Sequence, residues 1–154
     1  MILFHILWPV FAMVALIFTV WVTLIVKRLR HLKAVRPTAA DFVDRAAMHR
    51  YFGPAAPAAD NLANLFEMPV LFFAIVPLLM ATQQAGIAQV LLAWIYVALR
   101  AVHSWHHLRG RIRPRFRMYV ASVAVLAAMW IGFLIDFLAA AFAYSAALSR
   151  LLQP

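Results

Sequence analysis

The sequence predicts an all-α integral membrane protein, a single bundle of four transmembrane helices. Three observations carry that prediction. Of 154 residues, 67% are hydrophobic and only 12% are charged, where a soluble domain carries roughly 25%. The apolar residues gather into four long runs, at about 3–26, 65–83, 87–108 and 117–143. Most of the basic residues gather between these runs, with Arg100 inside one of them.

Each run supplies the roughly 20 apolar residues that a helix needs to cross about 30 Å of hydrocarbon. None alternates with the two-residue period of a transmembrane β-strand. The first, "LFHILWPVFAMVALIFTVWVTLIV", exceeds a signal-peptide core in length and has no basic segment ahead of it. It therefore reads as a span, not a leader. Pro9, Pro69 and Pro77 fall within or near spans and are expected to kink them. The longest polar stretch is the loop at about 27–63. There Thr38 or Asp41 offers an N-cap for a short interfacial helix, and the prolines and glycine of "GPAAPAAD" mark a loop. Short connections make the whole chain, 1–154, one membrane domain.

Fourteen Lys and Arg oppose five acids, a net charge of +9. Seven of the cations fall at Lys27, Arg28, Arg30, Lys33, Arg36, Arg45 and Arg50, and five alternate through "RGRIRPRFR". The "ATQQAG" connection has none. Four spans put the two basic loops on one side, and the positive-inside bias makes that side cytoplasmic, with both termini periplasmic. Anionic lipid headgroups are natural partners for such loops. Nucleic acid is not, because no soluble domain remains to bind it. The chain has no cysteine, so it has neither a disulfide nor a thiol nucleophile of its own. Thiol chemistry here would need a bound cofactor to bring the sulfur.

The polar residues inside the apolar runs need a reason. "NLFEMPVLFFAIVPLLM" carries Asn64 and Glu67 at its start, and an acid at the bilayer centre costs roughly 2.5–3.5 kcal/mol. One reading is a capping box, with Asn64 as N-cap and Glu67 at N3. A second comes from Arg100, nine residues before Arg109, hence about 13 Å below the loop. An arginine that deep faces a bundle interior or a wet cavity. Tyr96, Arg100, His103 and His107 share one helical face, and a Glu67–Arg100 pair between spans two and three would neutralise both charges. The stripe is either a polar seam that joins helices or a pocket for a small anionic ligand, gripped by Arg forks. "HSWHH" also permits a metal site at His103 and His107 with Glu67 as third ligand.

These residues bring a family into view. Four spans, "NLANLFEMP" at the start of span two and "RAVHSWHHLRGRIRPRFRMYVAS" across spans three and four resemble the MAPEG proteins, the membrane-associated proteins in eicosanoid and glutathione metabolism. The most specific elements are N-x-x-E in span two and R-x-x-H in span three. The resemblance implies a bacterial inner-membrane homotrimer that binds glutathione between subunits near the cytoplasmic face. It implies conjugation, reduction or isomerisation of lipophilic electrophiles that arrive through the bilayer.

Residue by residue, the resemblance implies glutathione contacts from Asn64, Glu67, Arg100, His103, His107 and Tyr119, and from Arg28 or Arg30 at the basic end of span one. It implies a thiolate held by Arg113, Arg115 or Arg117, because the arginine that does this in some members falls at Pro114 here. Asp60 and Ala63 also stand where several members are basic. The expected function is therefore a glutathione-dependent transferase or peroxidase, with no metal. The alternative is a non-catalytic trimer that binds another anionic metabolite or a lipid headgroup.

Overall fold

The computed structural model describes residues 2–151 and is helical throughout. A helical turn, α1 (Ile2–His5), leads into α2 (Leu7–Ala34). The polar loop contains two 3-10 turns, Ala39–Phe42 and Gly53–Ala55, and a short helix, α3 (Arg45–Tyr51). Span two is made of α4 (Ala56–Asn64) and α5 (Pro69–Ala81), span three is α6 (Ile87–Leu108) and span four is α7 (Ile112–Leu151). Four helical segments are long and apolar enough to cross a membrane: Leu7–Ala34, Gly53–Ala81, Ile87–Leu108 and Ile112–Leu151.

Helix α2 runs eight residues past the apolar run because 27–34 is mostly Lys, Arg, Leu and Ala, all good helix formers. It stops at Val35, one residue short of the dipeptide Arg36-Pro37, where proline pushes its predecessor out of the helical region. Pro9 lies in the first turn of α2, where its missing N–H costs no helical bond. In the loop, Thr38 caps the first 3-10 turn with Asp41 as its reciprocal partner, and Asp44 caps α3 by accepting from the Ala47 N–H at 2.7 Å.

Helices α6 and α7 form an antiparallel pair, joined by a tight turn. Gly110 takes φ +66, and the Arg111 and Gly110 N–H groups bond to the His106 and His107 carbonyls at 3.0 and 3.1 Å. This double bond pattern is a Schellman cap, whose left-handed residue favours glycine. The core holds Met13, Val20, Phe72, Ile75, Leu79, Leu126 and Met129, all at most 3% exposed, with Phe72 stacked on Tyr96 at 5.0 Å. Near the far end, Gln89 Nε2 donates to the Met129 carbonyl at 3.1 Å. Gly132 leaves room for that amide, which a Cβ would approach to 3.2 Å.

Helix α7 is longer than the run that predicts it. It begins at Ile112, not near 117, and its residues from 134 to 151 are all exposed. Those residues extend beyond the level of the Gln89–Met129 bond. Asp136 sits there, where the helix leaves the bundle.

Candidate functional site

The site begins with a broken helix. Pro69 cannot donate a backbone hydrogen bond and its ring crowds the carbonyl four residues earlier. Span two therefore breaks into turns at 65–68, between α4 and α5. The break releases the Asn64 carbonyl, and Arg100 Nη2 donates to it at 2.6 Å. Non-helical backbone at membrane depth persists only where protein satisfies it. Arg100, 0% exposed, meets that need.

The Arg100 guanidinium lies 5.9 Å from the Tyr119 ring centre. One turn on, the His103 ring sits 5.9 Å from Tyr119 and 5.7 Å from His107. His103 Nδ1 donates to the Arg115 carbonyl at 3.0 Å. His107 Nε2 lies 3.2 Å from Arg115 Nη1 and 3.5 Å from Asn64 Nδ2. A guanidinium and an amide nitrogen only donate, so His107 Nε2 accepts and its proton rests on Nδ1. Asn64 Nδ2 also donates to the Asp60 carbonyl at 2.9 Å, which fixes the amide.

Beside this cluster opens a cleft of about 260 Å³, lined by Asn64, His103, Ile112, Arg115, Phe116 and Tyr119. The helices that form it also bury polar atoms with no partner among the described residues: Arg100 Nε and Nη1, Tyr96 OH, His103 Nε2, His107 Nδ1, Ser104 Oγ and both amide atoms of Asn61. Each buried unsatisfied group costs about 1–3 kcal/mol.

The structure brings together Asn64, Arg100, His103, His107, Arg115 and Tyr119. It separates the others. Glu67 is exposed on the broken segment, and Arg113 and Arg117 are exposed on other faces of α7. Arg30 is exposed, while Arg28 lies over Phe52 at 5.2 Å and faces a different cleft, of about 600 Å³, with Arg45, His49 and Asp60. Two expectations are corrected. Arg100 bonds to the Asn64 carbonyl rather than to the Glu67 carboxylate, because the break puts a backbone acceptor nearer. Asn64 ends α4 instead of capping α5, whose N-cap is Met68 without a side-chain bond. Asn61 and Ser104 are missing from the predicted set. Their signal was spacing, three residues before Asn64 and four after Arg100.

Among the described residues, no three His, Cys, Asp or Glu side chains converge on a point that would hold a metal ion. The family model described as MAPEG matches residues 6–135. The chain belongs to the MAPEG family. Comparison with curated proteins and with solved structures gives no match. The match takes in all four helical spans of this MAPEG protein and every residue of the cluster, and it stops at Ile135, where α7 leaves the bundle. Members of the family commonly use glutathione.

Proposed function

We propose that this MAPEG protein binds glutathione in the cleft between α4, α6 and α7 and directs it at lipophilic electrophiles. The observation that supports this most is Arg115. Of the five arginines in 109–117, it alone lines the cleft, and one of its five donors is engaged by His107. The polar lining suits a tripeptide that carries two carboxylates: the free donors of Arg115 and the Tyr119 hydroxyl at the cleft, with Asn64 Oδ1 left to accept a peptide N–H.

Bound glutathione supplies the thiol that this cysteine-free chain lacks. The Arg115 guanidinium favours negative charge on a neighbouring sulfur and so lowers the cost of its deprotonation. His107 holds that guanidinium in place from one side, and the His103 bond to the Arg115 carbonyl holds its backbone from the other. Asn64, pinned to the Asp60 carbonyl, orients the peptide. Ile112 and Phe116, 69% and 64% exposed, give the mouth an apolar lip toward which a membrane-borne electrophile would partition.

The proposal includes a homotrimer in the inner membrane with the basic loops cytoplasmic. In one chain, Arg28 and the cleft lie on different faces of α4. Packing of subunits would bring Arg28 of one toward the cleft of the next.

Calorimetric titration of the detergent-solubilised protein with glutathione and S-hexylglutathione tests the reading. Saturable binding is expected, lost in Arg115→Leu and retained in Arg113→Leu. No binding at millimolar ligand by a folded, oligomeric protein would overturn it. Asp60, acidic where several relatives are basic, would then favour a non-catalytic trimer that holds a different metabolite.

A further inference from the structure

The loop between spans one and two is not a free excursion into water. Helix α2 has 28 residues, about 42 Å at 1.5 Å per residue, against about 30 Å of hydrocarbon. Its apolar run ends at Val26, so 27–34 forms a stem of about 12 Å that rises through the headgroup layer. The loop folds back along this stem. Phe52 lies under Arg28 at 5.2 Å, the Tyr51 ring meets His31 at 4.7 Å, and the Tyr51 hydroxyl donates to the Val35 carbonyl. The loop is thus held at the height of the headgroups.

Its outward face combines two features. Phe42 and Val43, at the corner between the 3-10 turn and α3, are 48% and 76% exposed. On the same loop and stem Lys33, Arg36, Arg45 and Arg50 are all exposed, Arg45 also lining the cleft that Arg28 faces. The two acids of the loop serve as caps, and against these four cations they leave a positive excess. Asp41 accepts from the Thr38 N–H and hydroxyl at 2.8 and 2.7 Å, and Asp44 accepts from the Ala47 N–H at 2.7 Å. Exposed apolar tips on a loop with an excess of exposed cations, held at headgroup height, match an anionic lipid surface.

We infer that the 36–52 loop docks on the anionic phospholipid leaflet of the protein's own membrane, with Phe42 and Val43 inserted between headgroups and Arg36, Arg45 and Arg50 on the phosphates. The docked loop braces the basic end of α2 and α4 against the bilayer. Its occupancy depends on the charge of the leaflet.

The absence of native cysteine permits a clean test. Full-length Val43→Cys, labelled with a polarity-sensitive fluorophore, is placed in nanodiscs of phosphatidylcholine alone or mixed with phosphatidylglycerol. With phosphatidylglycerol the emission should shift to the blue and be quenched by lipids spin-labelled near the headgroup. Arg36→Gln with Arg45→Gln should lower the docking equilibrium constant roughly thirty-fold, at about 1 kcal/mol for each arginine. High salt should act in the same direction. An emission that is water-like in both discs would overturn the inference. So would a blue emission that ignores lipid charge and spin label, which would mean that another copy of the chain covers the tip.

Discussion

The two ends of this helix bundle are built on opposite terms. At the far end, Leu79, Met129 and their neighbours are buried in apolar contact, and Gln89 Oε1 and Trp130 Nε1 are the only buried polar side-chain atoms there without a partner among the described residues. At the basic end, Asn61, Arg100, His103, Ser104, His106 and His107 all bury unpartnered atoms. A stable scaffold avoids such atoms. Their concentration at one end is what the proposed ligand site would account for. Sites that hold ligands are often paid for in stability.

The largest expected effect tests the far end. Leu79→Ala opens a cavity in well-packed apolar surroundings and should cost about 2–5 kcal/mol. Thermal unfolding in detergent measures it. Glutathione affinity below the unfolding temperature should stay the same. A loss of affinity with the fold intact would show that the two ends are not separate.

A smaller effect tests the basic end. Arg100→Leu strands the Asn64 carbonyl and should cost about 1–2 kcal/mol, with loss of ligand binding. If Arg100 exists to satisfy the break made by Pro69, then Pro69→Ala should mend the same damage. It restores an N–H and lets the helix run on, so that the Met68 N–H can reach the Asn64 carbonyl. The double variant should recover most of the lost stability but not the binding. Simple additivity of the two changes in a double-mutant cycle would mean that Arg100 and the break are unrelated.

Much of this was legible in the sequence, for physical reasons. Spans follow from the length of apolar runs, since hydrocarbon thickness sets a minimum. The buried stripe of Tyr96, Arg100, His103 and His107 followed from helical spacing alone. Pro69 announced a kink, but not what the kink would do, because the same N-x-x-E pattern reads equally as a cap, and the partner that Arg100 found is a backbone carbonyl, which no residue type announces. The choice among Arg113, Arg115 and Arg117 was also hidden. Hydropathy started span four near 117, since arginines mask a helix start. With the true start at Ile112, Arg115 and Tyr119 lie four apart on one face, and Arg113 and Arg117 turn away.

Asn61 sharpens the contrast further. Its side chain is 0% exposed and neither amide atom has a partner. Asn61→Leu removes both unsatisfied groups while nearly conserving volume, so the ligand-free protein should gain about 1 kcal/mol. Stabilisation by added glutathione should shrink in the same variant. A fall in stability instead would place an ordered water between Asn61 and its neighbours, and the basic end would be wetter than the contrast assumes.

The smallest effect separates site from scaffold within the basic end itself. The Asp41 carboxylate accepts from the Thr38 N–H and hydroxyl, and these bonds, the backbone one foremost, hold its pKa below the ordinary value. A depressed folded pKa means that the ionised form supports the fold. Its contribution is complete above the unfolded value of about 3.9 and fades as pH falls through the lower folded one. Hydrogen exchange at the Thr38 amide should therefore stay protected at neutral pH and lose protection only in acid below that value, and Asp41→Asn should weaken the protection and flatten the profile. A transition nearer neutral pH would assign it to another group and would remove Asp41 as the anchor of the turn. The carboxylate is partly exposed and bonded through Oδ2, whereas Asn61 and Arg100 are buried and hold side-chain atoms without a partner. What distinguishes the site from the loop above it is thus the state of its hydrogen bonds, since both are rich in polar groups.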